Sequence, residues 1–481
     1  MRKPYAITAA VLLACFFGAP AHARVRLPPI FSDHMVLQGG TNVPVWGWAD
    51  AGEHVAVAIA GQSKATVVGA DGAWRVTLDA LKADGAQTLT VSGSNTITIQ
   101  DVLIGEVWLC SGQSNMVLPV SKARDYAGEQ SAARWPLIRI FQNKWLVCSP
   151  ETVGVFSAAA YFFGRDIHQK TGLPVGLIER AAGGSPIELW TSWDAQKDVP
   201  ELKPVFAPKA DAAALSPEAA AQAQSDRRQA MGVEGRQAVT GSKTRPGQLY
   251  DDRIAPLIPY AIRGVIWYQG EANSYTVHAD LYGRQLAIMI ADWRKRWGCA
   301  FPFLSVQLPE LGQPQTVPVE SSGRALVREG VLQSLILPQT GMAVTLGTGE
   351  ATNNHPTNKQ EVGRRLAQWA LATVYARKDV AASGPLPAGH TITGNRVVIS
   401  FTHTDGGLVA RDGPLKGFAI AGSDQKWVWA DAQISGTTVV VSHPSVPAPV
   451  AVRYAWAGNP ASCNLANGAG LPASPFRTDV P

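Results

Sequence analysis

The sequence lacks a long apolar run anywhere beyond its first two dozen residues. A helix that spans a bilayer needs roughly 20 consecutive apolar residues. No later stretch of the 481 residues approaches that length. We therefore predict no transmembrane segment in the mature chain.

The apolar run that does exist lies at the amino terminus. Two basic residues precede an apolar stretch at 6–18, and an A-x-A-like cleavage site follows it. This pattern predicts a signal peptide at 1–23, so that the mature chain begins at Arg24 and is periplasmic or secreted. A lipoprotein signal around Cys15 is the alternative, but the apolar residues after that cysteine favour an ordinary signal core.

The sequence also lacks an excess of charge of one sign. The formal net charge is +5, and it falls to +3 when the leader is removed with its two basic residues. The basic clusters are short, as in Arg294-Lys295-Arg296. Because no basic stripe is present, the composition predicts neither a nucleic-acid partner nor binding to a membrane surface.

Cysteine is scarce, with five residues in the whole sequence. The four that follow the leader are Cys110, Cys148, Cys299 and Cys463. In an oxidising compartment they could form up to two disulfides in three pairings, but a chain this long buries a core without them. Their pairing is not determined by the sequence, and Cys110 is equally typical of a small buried residue.

The chain has a candidate nucleophile in a motif that differs from the G-x-S-x-G elbow of α/β hydrolases. An apolar run at 106–110 ends at Ser111-Gly112, so Ser114 falls on a tight turn after a predicted buried strand. The residue two positions later is Met116 rather than glycine, which excludes the elbow. A serine in this place is a candidate nucleophile, with a turn residue or helix cap as the alternative.

Hydrophobic periodicity divides the mature chain into three regions. Alternating apolar and polar residues separated by turn signals predict an N-terminal antiparallel β-sandwich-like domain at 24–100. Near-continuous apolar strands alternate with helical stretches at 101–378, which predicts an α/β core with a covered parallel sheet. Strands and turns return at 379–481 and predict a C-terminal β region, either independent or completing the first sandwich.

The core pattern also locates individual elements. The candidate strands lie at 106–110, 175–179, 264–268, 303–307 and 342–346. The candidate helices lie at 157–171, 281–297 and 356–376, the last with Pro356 in its first turn. An insertion at 204–244 is rich in alanine, glutamine and charge, and it predicts a helical excursion or a lid over the site.

Four candidate site loops follow four different core strands. Ligands of open parallel sheets bind beyond the carboxyl ends of the strands, so we expect these loops to meet. Ser114 follows the first strand, and the pair Gly183-Gly184 follows the second. Asn273 and His355 follow later strands.

These residue types together predict acyl transfer. A histidine with an ordinary pKa near 6.5 can accept the serine proton and return it to a leaving alcohol. The backbone N–H groups of Ser114 and Gly184 and the side-chain amide of Asn273 can hold the oxyanion of a tetrahedral intermediate. Each such donor is worth roughly 3 to 4 kcal/mol in comparable hydrolases.

Several motifs of the chain together carry a family resemblance. The chain resembles the SGNH-hydrolase superfamily, and within it the sialate O-acetylesterase-like carbohydrate acetylesterases. The resemblance covers most of the mature chain, including 35–38 and 45–47 in the N-terminal region. The core motifs that carry it are Gly112-Gln113-Ser114-Asn115-Met116, Gly183 to Trp190, Trp267 to Asn273, and His355-Pro356 followed by Lys359 and Gly363 to Ala367.

The resemblance implies a fold and a chemistry. It implies a three-layer α/β/α SGNH hydrolase core with a parallel sheet and appended N-terminal and C-terminal β regions. It implies Ser114 as nucleophile and His355 as base, with removal of acetyl groups from sugar hydroxyls. It implies neither a metal nor a cofactor.

The sequence departs from the family at the third member of the triad. Such enzymes usually carry an aspartate two residues before the histidine, and this position is Asn353. Another position where the family often has aspartate is Gly347. Three explanations remain open: a Ser-His dyad oriented by a backbone carbonyl or by Asn353, a carboxylate recruited from elsewhere such as Glu350, or a protein that has lost catalysis.

Other residues of the motifs have both a functional and a structural interpretation. Gln113, Glu271 and Trp190 are candidate substrate-binding residues, although Glu271 is favoured as a stiffener of the Asn273 loop. Trp193 and Trp267 could join Trp190 in a sugar-stacking wall, but tryptophan beside motif loops is as often part of the core. Lys359, Arg364 and Arg365 are favoured as helix-surface residues or internal ion pairs.

These observations predict a secreted or periplasmic carbohydrate O-acetylesterase. The expected substrate is an acetylated oligosaccharide or polysaccharide, either plant hemicellulose such as xyloglucan or xylan, or an O-acetylated sialic acid. The alternative from another class is an inactive homologue that binds carbohydrate. Asn353 favours that alternative, and the retained Ser114 and His355 oppose it.

Overall fold

The structure is a computed structural model that describes residues 24–82, 85–206, 244–319 and 321–479. The predicted signal peptide and most of the predicted insertion at 204–244 lie outside the described residues. Within these ranges no helix is both long enough and apolar enough to cross a membrane.

The N-terminal region consists of short strands with alternating burial. In His54–Ile59, for example, the valines and the isoleucine face the core while the residues between them are less buried. This period of two is what a sheet with one covered face requires. The strands are β1 (Val36–Gln38), β2 (Val43–Trp48), β3 (His54–Ile59), β4 (Gln62–Val67), β5 (Ala73–Leu78) and β6 (Gln87–Ser92).

A single long strand, β7 (Thr96–Gly112), joins this region to the core. Its first half pairs antiparallel with β6. From Val102 onward every residue is buried, as expected for a strand covered on both faces. The predicted domain boundary at residue 100 falls inside this strand, and the division into domains stays a prediction.

The core sheet places β7 at its centre. The order is β13-β12-β11-β7-β10-β8-β9, and all neighbours are parallel except β8 and β9. The predicted strands are present with small changes at their ends. The strands are β8 (Ile138–Phe141), β9 (Trp145–Val147), β10 (Val175–Ala181), β11 (Gly264–Tyr268), β12 (Phe303–Val306) and β13 (Thr340–Ala343).

Helices cover both faces of this sheet. They are α1 (Ser114–Val117), α2 (Tyr126–Ala132), α3 (Ala158–Thr171), α4 (Trp193–Gln196), α5 (Lys203–Phe206), α6 (Glu271–Ser274), α7 (Tyr282–Trp297), α8 (Gly323–Gln333) and α9 (Lys359–Thr373).

Aromatic contacts show the two faces. Trp108 of β7 packs against Phe163 of α3, with ring centroids 4.9 Å apart. Trp267 of β11 packs against Trp293 of α7 at 6.0 Å. Trp267 is the sheet partner of Ser111 in β7, so the two side chains point to the same face. Ser111 lies three residues after Trp108, and side chains alternate along a strand, so Trp108 and Trp267 point to opposite faces. The core is therefore a three-layer α/β/α sandwich.

The start of α9 differs from the prediction. The side chain of Asn358 accepts the N–H of Glu361 and caps the helix, which begins at Lys359 rather than at Pro356. His355, Pro356 and Thr357 consequently belong to the preceding loop. This releases the histidine from helical geometry and lets its backbone be held by neighbouring side chains.

The C-terminal region forms antiparallel sheets of its own. Their orders are β14-β15-β20-β19, β18-β17-β21-β23 and β16-β22. Among the described residues, none of these strands pairs with a strand of the N-terminal region. The strands are β14 (Leu386–Thr393), β15 (Arg396–Thr402), β16 (Leu408–Ala410), β17 (Phe418–Gly422), β18 (Val428–Trp429), β19 (Asp431–Ser435), β20 (Thr438–Ser442), β21 (Pro449–Tyr454), β22 (Leu465–Asn467) and β23 (Phe476–Arg477).

The four cysteines of the described residues are all unpaired thiols. Cys110 and Cys148 are buried in the core. Burial raises the pKa of the Cys148 thiol to about 12. Cys110 thus has the small, buried position that its strand predicted, and none of these cysteines stabilises the fold as a disulfide.

Candidate active site

The four candidate loops meet at the carboxyl edge of the sheet. Ser114 is the first residue of α1, directly after β7, and His355 lies in the long loop between β13 and α9. The imidazole Nε2 of His355 lies 2.7 Å from the Oγ of Ser114. This is hydrogen-bond distance for a serine and its general base. Two residues 241 positions apart in sequence thus form one chemical unit.

A glycine just before the nucleophile brings two strand ends into close contact. Gly112 has φ +137, and a Cβ placed there would lie 2.1 Å from the carbonyl oxygen of Tyr268 at the end of β11. The same carbonyl accepts the N–H of Gln113 at 2.9 Å. A larger residue at 112 would separate β7 from β11 and displace Ser114 from the loop that carries Asn273.

The glycine pair after β10 runs beside the nucleophile. A Cβ placed at Gly183 would lie 3.7 Å from the Cβ of Ser114. Gly184 has φ +69, and a Cβ there would meet open space. The N–H of Ser114 belongs to the first turn of α1, where N–H groups lack partners within the helix. The backbone of Gly183 therefore runs beside the side chain of Ser114.

The amide of Asn273 is held in one orientation. Its Oδ1 accepts the N–H of Ile187 at 3.0 Å and the Nε2 of Gln269 at 2.8 Å. Its Nδ2 donates to Glu188 at 3.2 Å. Because the oxygen is engaged by two donors, the NH₂ group faces the opposite side and carries a second hydrogen that can be donated.

Asn353 and Glu350 form a hydrogen-bonded turn before the histidine. The Oδ1 of Asn353 accepts the N–H of His355 at 2.9 Å, and its Nδ2 donates to Glu350 at 2.8 Å. The other Glu350 oxygen accepts the N–H of Thr357 at 2.7 Å. Although burial raises the pKa of Glu350, the hydrogen bonds from Thr357 and Asn353 outweigh it and lower that pKa.

Comparison with known proteins gives a consistent result. A family model described as carbohydrate esterase, sialic acid-specific acetylesterase, matches residues 230–372. The sialate O-acetylesterase of Rattus norvegicus is 29% identical, over 95% of this chain and 94% of its own length. The human sialate O-acetylesterase is 28% identical, over 94% of this chain and 92% of its own length.

A solved structure decides the family. A carbohydrate acetylesterase from Xanthomonas citri is 34% identical, with a TM-score of 0.82, over 95% of this chain and 100% of the solved one. The chain belongs to the sialate O-acetylesterase-like carbohydrate acetylesterases. The predicted family, the α/β fold class with β-rich flanking regions, and the prediction of an esterase are confirmed.

Two candidate substrate-binding residues of this acetylesterase have almost no exposed surface. Trp190 has no exposed surface, its indole N–H donates to Ser185 at 2.9 Å, and its ring packs edge-on against Trp267. Glu271 is 1% exposed and accepts a hydrogen bond from Asn115. Both side chains are enclosed by protein in this structure, as the structural interpretation of each expects. Of the predicted sugar-stacking wall, Trp193 alone is well exposed, at 41%.

Gln113 also faces inward. Its Oε1 accepts the Nε2 of Gln269 at 3.1 Å and the N–H of Ala272 at 3.2 Å. The side chain is 3% exposed. In this structure Gln113 ties the nucleophile turn to the Asn273 loop, so its contacts are structural rather than directed at a ligand.

Sequence reasoning missed the part played by Asn115, and it left Lys359 as either a helix-surface residue or a member of an internal ion pair. Asn115 and Lys359 are both completely buried, and the Nζ of Lys359 donates to the Oδ1 of Asn115 at 2.6 Å. Burial lowers the pKa of Lys359 to about 7 and raises the pKa of Glu271. The signal available in the sequence was position, because Asn115 follows the nucleophile directly and Lys359 lies four residues after the base.

Proposed function

We propose that this acetylesterase removes acetyl groups from sugar hydroxyls through an acetyl-Ser114 intermediate. The observation that carries the proposal is the 2.7 Å contact between Ser114 Oγ and His355 Nε2. The serine is 9% exposed, at the edge of the sheet where ligands of such folds bind. The site therefore offers a nucleophile and a base in contact, with open space beside Gly184.

The first half-reaction acylates the serine. As His355 Nε2 takes the Oγ proton, Ser114 Oγ forms a bond to the acetyl carbonyl carbon and the carbonyl oxygen becomes an oxyanion. The N–H groups of Ser114 and Gly184 and the Nδ2 of Asn273 stabilise that oxyanion. Collapse breaks the bond to the sugar oxygen, which receives the proton from His355 and leaves as an alcohol.

The second half-reaction restores the enzyme. His355 takes a proton from a water molecule as the water oxygen attacks the acetyl carbon of acetyl-Ser114. The same three donors hold the second oxyanion. Collapse breaks the bond to Oγ, His355 returns the proton to the serine, and acetate is released.

We assign Asn353 a positioning role in a Ser-His dyad. Asn353 donates to one oxygen of Glu350, and the other oxygen accepts hydrogen bonds from Thr357. Asn353 in turn accepts the backbone N–H of His355. The asparagine thus holds the base through its main chain.

O-acetylated sialic acid is the first substrate to test. The full-length relatives are named sialate O-acetylesterases. Acetylated xylan and xyloglucan are the second class, because the solved relative is named more broadly as a carbohydrate acetylesterase. For location, the proposal remains a periplasmic or secreted enzyme that begins at Arg24, and N-terminal sequencing of the protein purified from its host tests it.

The deciding experiment measures acetate release and the covalent intermediate together. We expect Ser114→Ala and His355→Ala to lose nearly all activity on p-nitrophenyl acetate and on the three acetylated carbohydrates. Acid quenching during turnover should trap one acetyl group on the peptide that contains Ser114 of the wild type. Ser111→Ala is the matched control, since its hydroxyl lies three residues away and donates to Arg180 O at 2.7 Å. Wild-type activity in Ser114→Ala would end the proposal.

A further inference from the structure

The two carbonyl groups on either side of His355 are both held by buried side chains. The carbonyl oxygen of Asn354 accepts the Nδ2 of Asn115 at 2.9 Å. The carbonyl oxygen of Pro356 accepts the Nζ of Lys359 at 2.7 Å. The base therefore lies between two fixed peptide groups.

The two donors form one connected unit. The Nζ of Lys359 also donates to the Oδ1 of Asn115 at 2.6 Å, so the amide of Asn115 bridges Lys359 and Asn354. Asn115 directly follows the nucleophile Ser114 in α1. The backbone beside His355 is thus held by α1, the helix that begins at Ser114.

Burying the polar side chains of Asn115 and Lys359 costs free energy, which argues that they have a functional role. Lysine and glutamate are almost never fully buried unless they are paired. Lys359 is completely enclosed, its Nζ lies 5.3 Å from the ring centroid of Tyr268, and the carboxylate of Glu271 contacts Asn115. A nonpolar residue at 359 could fill the same volume at the N-terminus of α9, but it could not donate a hydrogen bond to the carbonyl oxygen of Pro356.

We propose that Asn115 and Lys359 are positioning residues that fix the backbone of His355 through its two flanking carbonyls. With the N–H of His355 held by Asn353 as well, the backbone on both sides of the base is restrained. Rotation of the imidazole is then limited to its side-chain torsions, which keeps Nε2 within reach of Ser114. The role assigned to these two residues rests on the proposed serine-esterase function.

The test compares kcat and KM in variants that release one carbonyl at a time. Lys359→Met keeps the length of the side chain and removes the donor to Pro356. Asn115→Asp keeps an acceptor for Lys359 and removes the donor to Asn354. It is made in a Glu271→Gln background and compared with Glu271→Gln alone, because Asn115 also donates to Glu271 and two buried carboxylates would otherwise meet. We expect kcat to fall about 10²-fold in each, as for a misplacement of about 1 Å, with KM changed less than about twofold. Gln368→Met on the outer part of α9 is the control and should retain wild-type kcat.

The double variant separates a shared restraint from two unrelated defects. Because both residues act on one backbone segment, Asn115→Asp combined with Lys359→Met should be little worse than the poorer single variant. Circular dichroism and thermal unfolding measure the folded fraction, so kcat is expressed per folded enzyme. If Lys359→Met does not fold, Asn115→Asp alone decides.

Two results would overturn the role. Wild-type kcat per folded molecule in Asn115→Asp, with Ser114→Ala inactive, would show that the base needs no such restraint. Full additivity of the two substitutions would show that they act on separate features. Activity in Ser114→Ala would instead contradict the serine mechanism itself, so the two failures are distinguishable.

Discussion

The side-chain Oδ1 of Asn353 accepts the backbone N–H of His355 at 2.9 Å. This bond holds the backbone of His355 against the side chain of the residue two positions before it. The same asparagine donates to Glu350. An aspartate at 353 would keep the first contact and lose the second. It would also place two carboxylates in contact, a situation that raises the pKa of one of them.

Asn353→Asp is therefore expected to lower kcat rather than restore a conventional triad. We expect a decrease of up to about tenfold at neutral pH, because repulsion from Glu350 moves the turn that carries His355. Initial rates of acetate release from p-nitrophenyl acetate measure the change, with Asn353→Ser as a neutral comparison. A rise in kcat would mean that the new carboxylate reaches the imidazole.

Glu350→Gln distinguishes a dyad from a recruited carboxylate. Loss of a carboxylate that stabilises the imidazolium costs about 10⁴ in kcat in the serine protease triad. If Glu350 acts only through Thr357 and Asn353, the glutamine should reduce kcat about tenfold or less, since it retains one acceptor oxygen. Single-turnover kinetics on the acetylated sugar measure the effect. A loss near 10⁴-fold would contradict the dyad.

Asn273→Ala should reduce kcat about 10²- to 10³-fold, the range found when one oxyanion donor is removed. The substitution also releases the N–H of Ile187, so the folded fraction must be measured alongside. Asn273→Asp is the second variant, because it keeps the acceptor for Ile187 and removes the Nδ2 donor. Its carboxylate would also lie beside Glu188 and the oxyanion, so its loss of kcat should be at least as large as that of Asn273→Ala. A fully active Asn273→Asp would remove this residue from the oxyanion site.

Trp190→Phe tests the buried position of this ring. We expect a loss of roughly 1 to 3 kcal/mol of unfolding free energy, because the hydrogen bond to Ser185 and part of the packing against Trp267 disappear. KM for the acetylated carbohydrate should not change. Urea unfolding and steady-state kinetics measure the two quantities. A large rise in KM without loss of stability would show that Trp190 contacts the sugar after all.

The stability of the wild type should rise with pH just above neutrality through Lys359. Its pKa is lowered to about 7 by burial, whereas the unfolded lysine keeps its ordinary pKa near 10.4. Between these values the unfolded chain binds a proton that the folded chain has released, so the unfolding free energy increases with pH, by at most about 1.4 kcal/mol per pH unit. Below pH 7 this contribution to the slope vanishes.

Urea unfolding at pH 6.5, 7.5 and 8.5 measures this slope. Lys359→Met lacks the group and supplies the comparison, because ionisable residues that do not interact with Lys359 contribute equally to both proteins. A slope that is identical in the two proteins across this range would mean that Lys359 keeps its ordinary pKa in the fold.

The sequence by itself determined the elements and the candidate pair, Ser114 and His355. Apolar runs as at 264–268 mark strands covered on both faces, since a continuous run is what such a strand needs. Ser114, Gly183, Asn273 and His355 each follow a different strand, and parallel strands bring their carboxyl ends to one edge. The motifs of the Ser114 and Asn273 loops also carried the family resemblance.

Only the tertiary structure decided what surrounds that pair. Trp190 and Glu271 look accessible in a motif loop, but their exposure depends on helices and strands far away in sequence. Asn115 and Lys359 are 244 positions apart. No local sequence pattern indicates that the side-chain amide of Asn115 connects Lys359 to the backbone beside His355. Periodicity reports which face of an element is apolar, whereas hydrogen bonds between buried polar side chains depend on the distances that folding creates between distant elements.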